Sequence, residues 1–235
     1  MSPEQTPAEL LAPYLGAVAA THLGLLAPRF EAALRGSADN TREQLETRGY
    51  PVSAAVLAFE ARYGGLFMAD EPGGEDSDWL FGAFACVVSG AHGVPGGPGP
   101  GADAGLVPVA YSPDDVIYYF DGDGAAWAQD TIEDPAPSRF AASGDVMVTR
   151  IVLHDILFSR SYTGNSIELT GQRGDAAAAA LGLPLIEQGS DELARFWGDA
   201  ETLVVEDQLS EPGAWLTRVT GTDKARLAAV VEQLG

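Results

Sequence analysis

The sequence predicts an α+β fold, an antiparallel-dominated sheet packed by helices, with extra N-terminal helices and a C-terminal α/β extension. Three observations lead to it. Capping signals and helical periodicity dominate up to Gly64-Gly65. Beyond them, short apolar runs alternate with Gly, Asp and Pro, as strands and hairpins do. The last third mixes both patterns. With 235 residues, 46% of them hydrophobic, the chain has room for one large domain, or for one domain with an appended subdomain. The expected division is an N-terminal helical extension over 1–40, an α+β core over 41–160, and a helix-strand-strand-helix extension over 161–235 packed on that core.

Thr6-Pro7-Ala8-Glu9 is a capping box with proline at the first helical position, so a helix starts there. The apolar segment Leu10 to Leu34 is expected as two helical pieces broken near Pro13 and Pro28. A helix over Thr41 to Arg48 stops at Gly49. Ser53 caps another, in which Val56, Phe59 and Tyr63 share one face, and Gly64-Gly65 ends it. The nine-residue apolar run Leu80 to Val88 reads as one buried strand with Gly82 as a bulge. Residues 90–105 are rich in Gly and Pro and read as a loop. Val107 to Tyr111 is expected at a sheet edge, because Pro108 lacks a ladder donor. Val116 to Phe120 and Ala125 to Gln129 flank Asp121-Gly-Asp123-Gly and predict a hairpin.

A helix over Asp145 to Phe158 follows, burying Val148, Val152 and Ile156. Asp175 is expected to cap an alanine run ended by Gly182 and Pro184, and Ser190 a helix through Trp197 ended by Gly198. Thr202 to Glu206 and Ala214 to Thr220 read as strands. Thr222 to Leu234 reads as a terminal helix with the stripe Leu227, Val230, Val231 and Leu234.

Several chemistries lack their residues. Lys224, the single lysine, stands in Thr-Asp-Lys-Ala, so there is no phosphate-binding Gly-Lys-Ser/Thr loop and little scope for a Schiff base. His22, His92 and His154 are far apart and form no zinc helix, and no Gly-x-Ser-x-Gly elbow occurs. Pro98 and Pro100 spoil the formal Gly97-x-Gly99-x-x-Ala102 pattern by removing amide donors. Asp121-Gly-Asp123-Gly invites a calcium loop, but Ala125, Ala126 and Ile132 occupy the later ligand and glycine positions. His154-Asp155 carries no nucleophile by spacing, and Cys86 lies in an apolar run with no basic neighbour, as a buried inert thiol would. No cofactor or metal is expected. No apolar run reaches membrane-spanning length, and no positive charge precedes Arg29 as a secretory signal would need, so a soluble cytoplasmic protein is expected.

The charge says more. Thirty-four acidic residues face thirteen basic ones, a net charge of −21. Between Arg62 and Arg139 there are thirteen acids and no Lys or Arg. Such a field repels nucleic acid and anionic membrane and speeds encounter with basic partners.

Gly49-Tyr50-Pro51-Val52-Ser53 followed by Phe59-Glu60-Ala61-Arg62-Tyr63-Gly64-Gly65-Leu66 resembles the opening of the SUKH superfamily, which includes fungal cell-wall-assembly regulators and many bacterial immunity proteins. Ile117-Tyr118-Tyr119-Phe120-Asp121 through Gly124, then Trp127 and Asp130, is similar to that family's strand, turn and following strand. The resemblance covers roughly Glu43 to Phe158. It implies binding rather than catalysis: an immunity protein that neutralises a cognate bacterial toxin, often a nuclease, whose basic cleft a carboxylate-rich face can occupy. On that reading the candidate surface is Asp70, Glu71, Glu75, Asp76 and Asp78 with Trp79 as aromatic anchor, extended by Asp121, Asp123 and Asp130. The alternatives are a regulatory or scaffold module of the same fold and, less favoured, a small hydrolase using Asp121 and Asp123.

Overall fold

The computed structural model describes residues 5–69, 78–88, 104–112, 115–130, 136–158, 166–171, 173–208 and 214–234. Its fold is α+β, with antiparallel sheets packed by helices, as the sequence predicts. The chain forms two compact units, one of residues 1–11 with 23–144, the other of residues 12–22 with 145–235.

The first unit holds a seven-stranded antiparallel meander: β1 (Arg29–Phe30), β2 (Leu66–Ala69), β3 (Asp78–Phe81), β4 (Val107–Tyr111), β5 (Val116–Phe120), β6 (Ala126–Asp130) and β7 (Ser138–Ala141), each beside the next. Strands β4 and β5 are covered on both faces: four of five residues are buried in each, Ile117, Tyr118, Tyr119 and Phe120 among them. Helix α2 (Ala38–Thr47) starts at Ser37, whose hydroxyl accepts from the Asn40 N–H. Helix α3 (Ala54–Tyr63) starts at Ser53, which caps Val56. Its face buries Val56, Phe59, Glu60 and Tyr63. Phe59 meets Tyr63 and, edge-on, Phe120, each at 4.9 Å between ring centres. Gly144 lies against the same pair, where a Cβ would come within 2.7 Å of both Phe59 and Phe120.

The second unit has a four-stranded antiparallel sheet in the order β8 (Ser166–Thr170), β11 (Trp215–Gly221), β10 (Thr202–Gln208), β9 (Ala194–Gly198). Helices α6 (Gly174–Leu181) and α7 (Lys224–Leu234) cover one face, where Ala177, Ala178, Leu183, Trp197, Val204, Val219, Leu227 and Val230 form a core. Across the opposite face runs α5 (Gly144–Phe158), whose His154 ring stands edge-on to Phe196. Val148 and Val152 are buried as expected, while the Ile156 and Val231 side chains lie outside the described residues.

Six expectations need correction. Helix α1 runs from Pro7 to Leu25 with Pro13 inside it, and its break falls at Gly16 (φ 79°, ψ 163°). Glycine reaches that backbone conformation without steric cost, so the helix breaks there rather than at Pro13. After Pro28 the chain makes the short β1 and a 3-10 turn at Ala32–Leu34, not a helix. The run Leu80 to Val88 is a strand followed by the helix α4 (Ala83–Val88), with Gly82 (φ 123°) at the junction; an apolar run carries no period to separate the two. Strand β4 is internal, because Pro108 sits at a register shift and owes the ladder no donor there. Residues 190–197 are not a helix. Asp191 Oδ1 accepts the N–H groups of Leu193 and Ala194, a local turn that competes with helix start, and β9 follows. Finally, Asp175 lies in the first turn of α6 but does not cap it.

Two helices lack a side-chain cap from their own leading residues and borrow one from afar. Glu60, 1% exposed on α3, accepts the N–H of Phe84 at 3.0 Å and of Gly36 at 2.9 Å, with Ala83 adding a third. The carboxylate thus closes the start of α4 and fixes the turn before α2. A Cβ on Gly82 would lie 3.0 Å from Glu60 Oε2, so small residues surround it. In the second unit, buried Glu206 of β10 accepts the Gly174 N–H at 2.9 Å and does the same for α6.

Burial pushes the Glu60 carboxyl above its ordinary pKa, against the opposing pull of the Phe84, Gly36 and Ala83 amides and of Arg35. A raised folded-state pKa makes this group favour folding more as pH falls through it toward the ordinary value. Glu60→Ala is expected to lower unfolding free energy by about 2–4 kcal/mol in denaturant titration, since several buried N–H groups lose their acceptor. Against Glu60→Gln, wild-type stability should shift in the wild type's favour between about pH 7 and about pH 5.

Candidate acidic binding surface

Strand direction sorts the sequence-derived acids. In the meander, β3 begins, β4 ends, β5 begins and β6 ends at one end of the sheet, so Asp78, Asp115 and Asp130 gather there. The connection from Ala69 to Asp78 leaves from the same end. Its acids Asp70, Glu71, Glu75 and Asp76 lie outside the described residues, as does the Asp78 side chain. Asp121 and Asp123 sit at the opposite end, about 15–17 Å away along five-residue strands. The nine proposed residues therefore do not form one patch.

Asp121 is committed to its own turn. Its Oδ1 accepts the N–H of Asp123 and of Ala125, each at 3.0 Å, and its Oδ2 accepts the Trp127 indole N–H at 3.0 Å. Burial opposes ionisation, but the Trp127 indole and the Ala125, Asp123 and Gly124 amides outweigh it and hold the carboxyl below its ordinary pKa. That arrangement leaves Asp121 organising the hairpin, while Asp123 at the tip is exposed. Gly124 (φ 87°) completes the turn, and a Cβ there would lie 2.6 Å from that of Ala55.

Trp79 is not an exposed anchor. It is 8% exposed, opposite Met68 in register and beside Phe81 at 6.3 Å and Tyr118 at 6.0 Å. The strand pairing that aligns β3 with β2 turns its ring inward.

Sequence reasoning missed Asp115. It takes a left-handed conformation (φ 60°), and its Oδ1 accepts the Tyr111 hydroxyl at 2.7 Å, which pushes the phenol up to about 12. The signal was the run of turn-forming residue types Pro113-Asp114-Asp115 between two apolar runs of the sequence.

A second charged group lies in the second unit. Arg150 of α5, 2% exposed, donates to the carbonyls of Gly189 at 3.0 Å and Ala194 at 3.3 Å and pairs with Asp191. One turn on, His154 Nε2 stands 3.8 Å from Asp207, which also faces Arg218 at 3.8 Å; Arg218 in turn bonds Glu168 at 3.1 Å. Burial lowers the His154 pKa, Asp207 opposes this, and Arg150 and Arg218 reinforce it. The neighbours that lower the imidazole basicity are structural ion pairs, and the group reads as a clamp on the sheet. Cys86 is buried, and burial raises its thiol further from ionisation. Among the described residues no group of three or more His, Cys, Asp and Glu could hold a metal ion, and no helix is long and apolar enough to cross a membrane. No family model, no curated protein and no solved structure matches the chain.

Asp121→Ala should cost about 1–3 kcal/mol of stability at neutral pH by leaving two amides and the indole without an acceptor. The lowered pKa makes this contribution present above the ordinary carboxyl range and lost as pH falls through the folded value, so the two proteins' denaturation midpoints should converge in acid. The His154 ring should titrate below the ordinary imidazole range, as read from its NMR chemical shifts against pH.

Proposed function

We propose that this chain is a non-enzymatic, SUKH-like immunity protein that binds and neutralises a basic cognate toxin through carboxylates at the Asp78 and Asp130 end of its seven-stranded sheet. The observation that carries this reading is the uneven distribution of charge. The first unit has twenty acidic residues against six arginines, and none of those arginines falls between Arg62 and Arg139. The second unit has fourteen acidic residues against seven basic ones, and four of its arginines, Arg150, Arg195, Arg218 and Arg226, pair with its own Asp191, Asp175, Glu168 and Asp199. The first unit's field is therefore available to a basic partner. A nuclease must present cations to phosphates, and a carboxylate-rich end can occupy such a cleft and exclude substrate. The resemblance over Glu43 to Phe158 supplies the toxin-neutralising context.

The test is co-purification of the tagged protein with its neighbouring gene products, then binding at two salt concentrations. A toxin-like neighbour should bind, lose its toxicity, and bind about tenfold or more weakly when salt rises from about 50 to about 200 mM. Asp76→Lys with Asp78→Lys should weaken the complex by a similar factor, while Asp123→Lys, at the other end, should change it far less. Equal effects from both would move the interface. Capture of a housekeeping protein alone would replace this reading with the regulatory one.

A further inference from the structure

We propose that the outer edge of β8 is a strand-docking site for an extended segment of a partner protein that alternates apolar residues with Lys or Arg. The site lies within the second unit, and it does not rest on the toxin reading. In the order β8-β11-β10-β9 the two outer strands are treated differently. The chain closes the β9 edge itself: the Ile186 N–H donates to the Phe196 carbonyl at 2.7 Å, and the Gly198 N–H to the Pro184 carbonyl at 3.0 Å. Among the described residues β8 pairs with β11 alone, in unbroken register from Ser166 opposite Thr220 to Thr170 opposite Leu216. Proteins blunt such edges with proline, lysine or a bulge, and Ser166 to Thr170 contains none of them.

Hydrogen-bond direction specifies how the occupant lies. The Gly171 N–H donates to the Trp215 carbonyl at 3.0 Å, one step beyond the Thr170–Leu216 pair. Bonded and non-bonded pairs alternate in an antiparallel ladder, so Leu169 and Ile167 also bond β11. The backbone groups of Ser166, Glu168 and Thr170 therefore point to the open edge. The side chains specify the rest. Ile167 and Leu169 pack against the core under α6 and α7 yet stay half-buried, as does Leu234, and an added strand with apolar residues on that face covers them. On the other face the Glu168 side chain is 64% exposed, with Arg218 donating to its Oε1 at 3.1 Å, and a second cation can reach it from the open side. A second copy fits less well. The two-fold register that uses all three outward residues sets Glu168 against its own copy, and each chain carries −21. A Lys or Arg opposite Glu168 removes that conflict and is drawn in by the field of the chain.

The probe is the synthetic peptide Lys-Val-Thr-Val-Lys-Val-Thr-Val-Lys, blocked at both ends and titrated into the full chain, with amide exchange read residue by residue by NMR. A dissociation constant of about 0.1–1 mM is expected, with slowed exchange at Ser166, Glu168 and Thr170. N-methylating the Thr nitrogens and the central Lys nitrogen, which face β8 when that Lys sits opposite Glu168, should abolish binding. Replacing the peptide's lysines with glutamates should weaken binding about tenfold or more, and Glu168→Lys should invert that preference, a reversal that loss of folding cannot produce. No binding at about 2 mM peptide, protection confined to residues away from β8, binding that survives N-methylation, or a preference unchanged by Glu168→Lys would each overturn the proposal. Slowing of the same three amides with protein concentration alone would also overturn it and give the edge to a second copy.

Discussion

The buried carboxylate of Glu60 is the constraint on which the first unit depends. A helix start exposes N–H groups that need acceptors, and α4 emerges from Gly82, which has no side chain to offer one. Glu60 reaches across from α3 and accepts from Phe84 and Gly36. One side chain thereby joins three segments that are far apart in the chain. The cost is desolvation of a charge, which several convergent amides reduce without cancelling. The glycines around it follow from this choice, since Gly82 leaves the carboxylate room to lie against backbone.

The second unit repeats the device with Glu206 and α6, then adds its converse. Arg150 brings a cation into the interior and satisfies it with the Gly189 and Ala194 carbonyls and the Asp191 carboxylate. Those bonds tie α5 to the segment leading into β9. A charged group fixed this way specifies where a loop must sit, which apolar packing alone does less sharply. The two units thus use charge differently: the second buries Arg150 and pairs three further arginines with its own acids, while the first carries the larger excess of carboxylates. Meander topology gathers part of that excess at one sheet end, because alternate strand ends fall together.

Much of this was legible locally. Thr6, Ser53 and Gly182 mark helix ends through their own side chain or backbone, and the structure has a capping box, an N-cap and a left-handed C-cap at those residues. The β5–β6 hairpin was legible because Asp121 and Gly124 carry the turn within a few positions. The failures share a different character. Val107 to Tyr111 looked like an edge because Pro108 lacks a donor, yet a register shift absorbs it. Trp79 looked like an anchor beside acids, yet its pairing with Met68 faces it inward. Strands β1, β2, β7 and β8 were not anticipated, being short or only half-buried.

By itself the sequence determined the α+β class, the capped helices, the hairpin and the acidic excess, because each depends on residues within about one turn of each other or on composition alone. Only the tertiary structure decided where Leu80 to Val88 changes from strand to helix, which acids share a sheet end, and which helix starts are capped from elsewhere. Those outcomes rest on partners 24 and 32 positions away, such as Glu60 with Phe84 and Glu206 with Gly174. No local pattern encodes a contact that exists only once the chain has closed on itself.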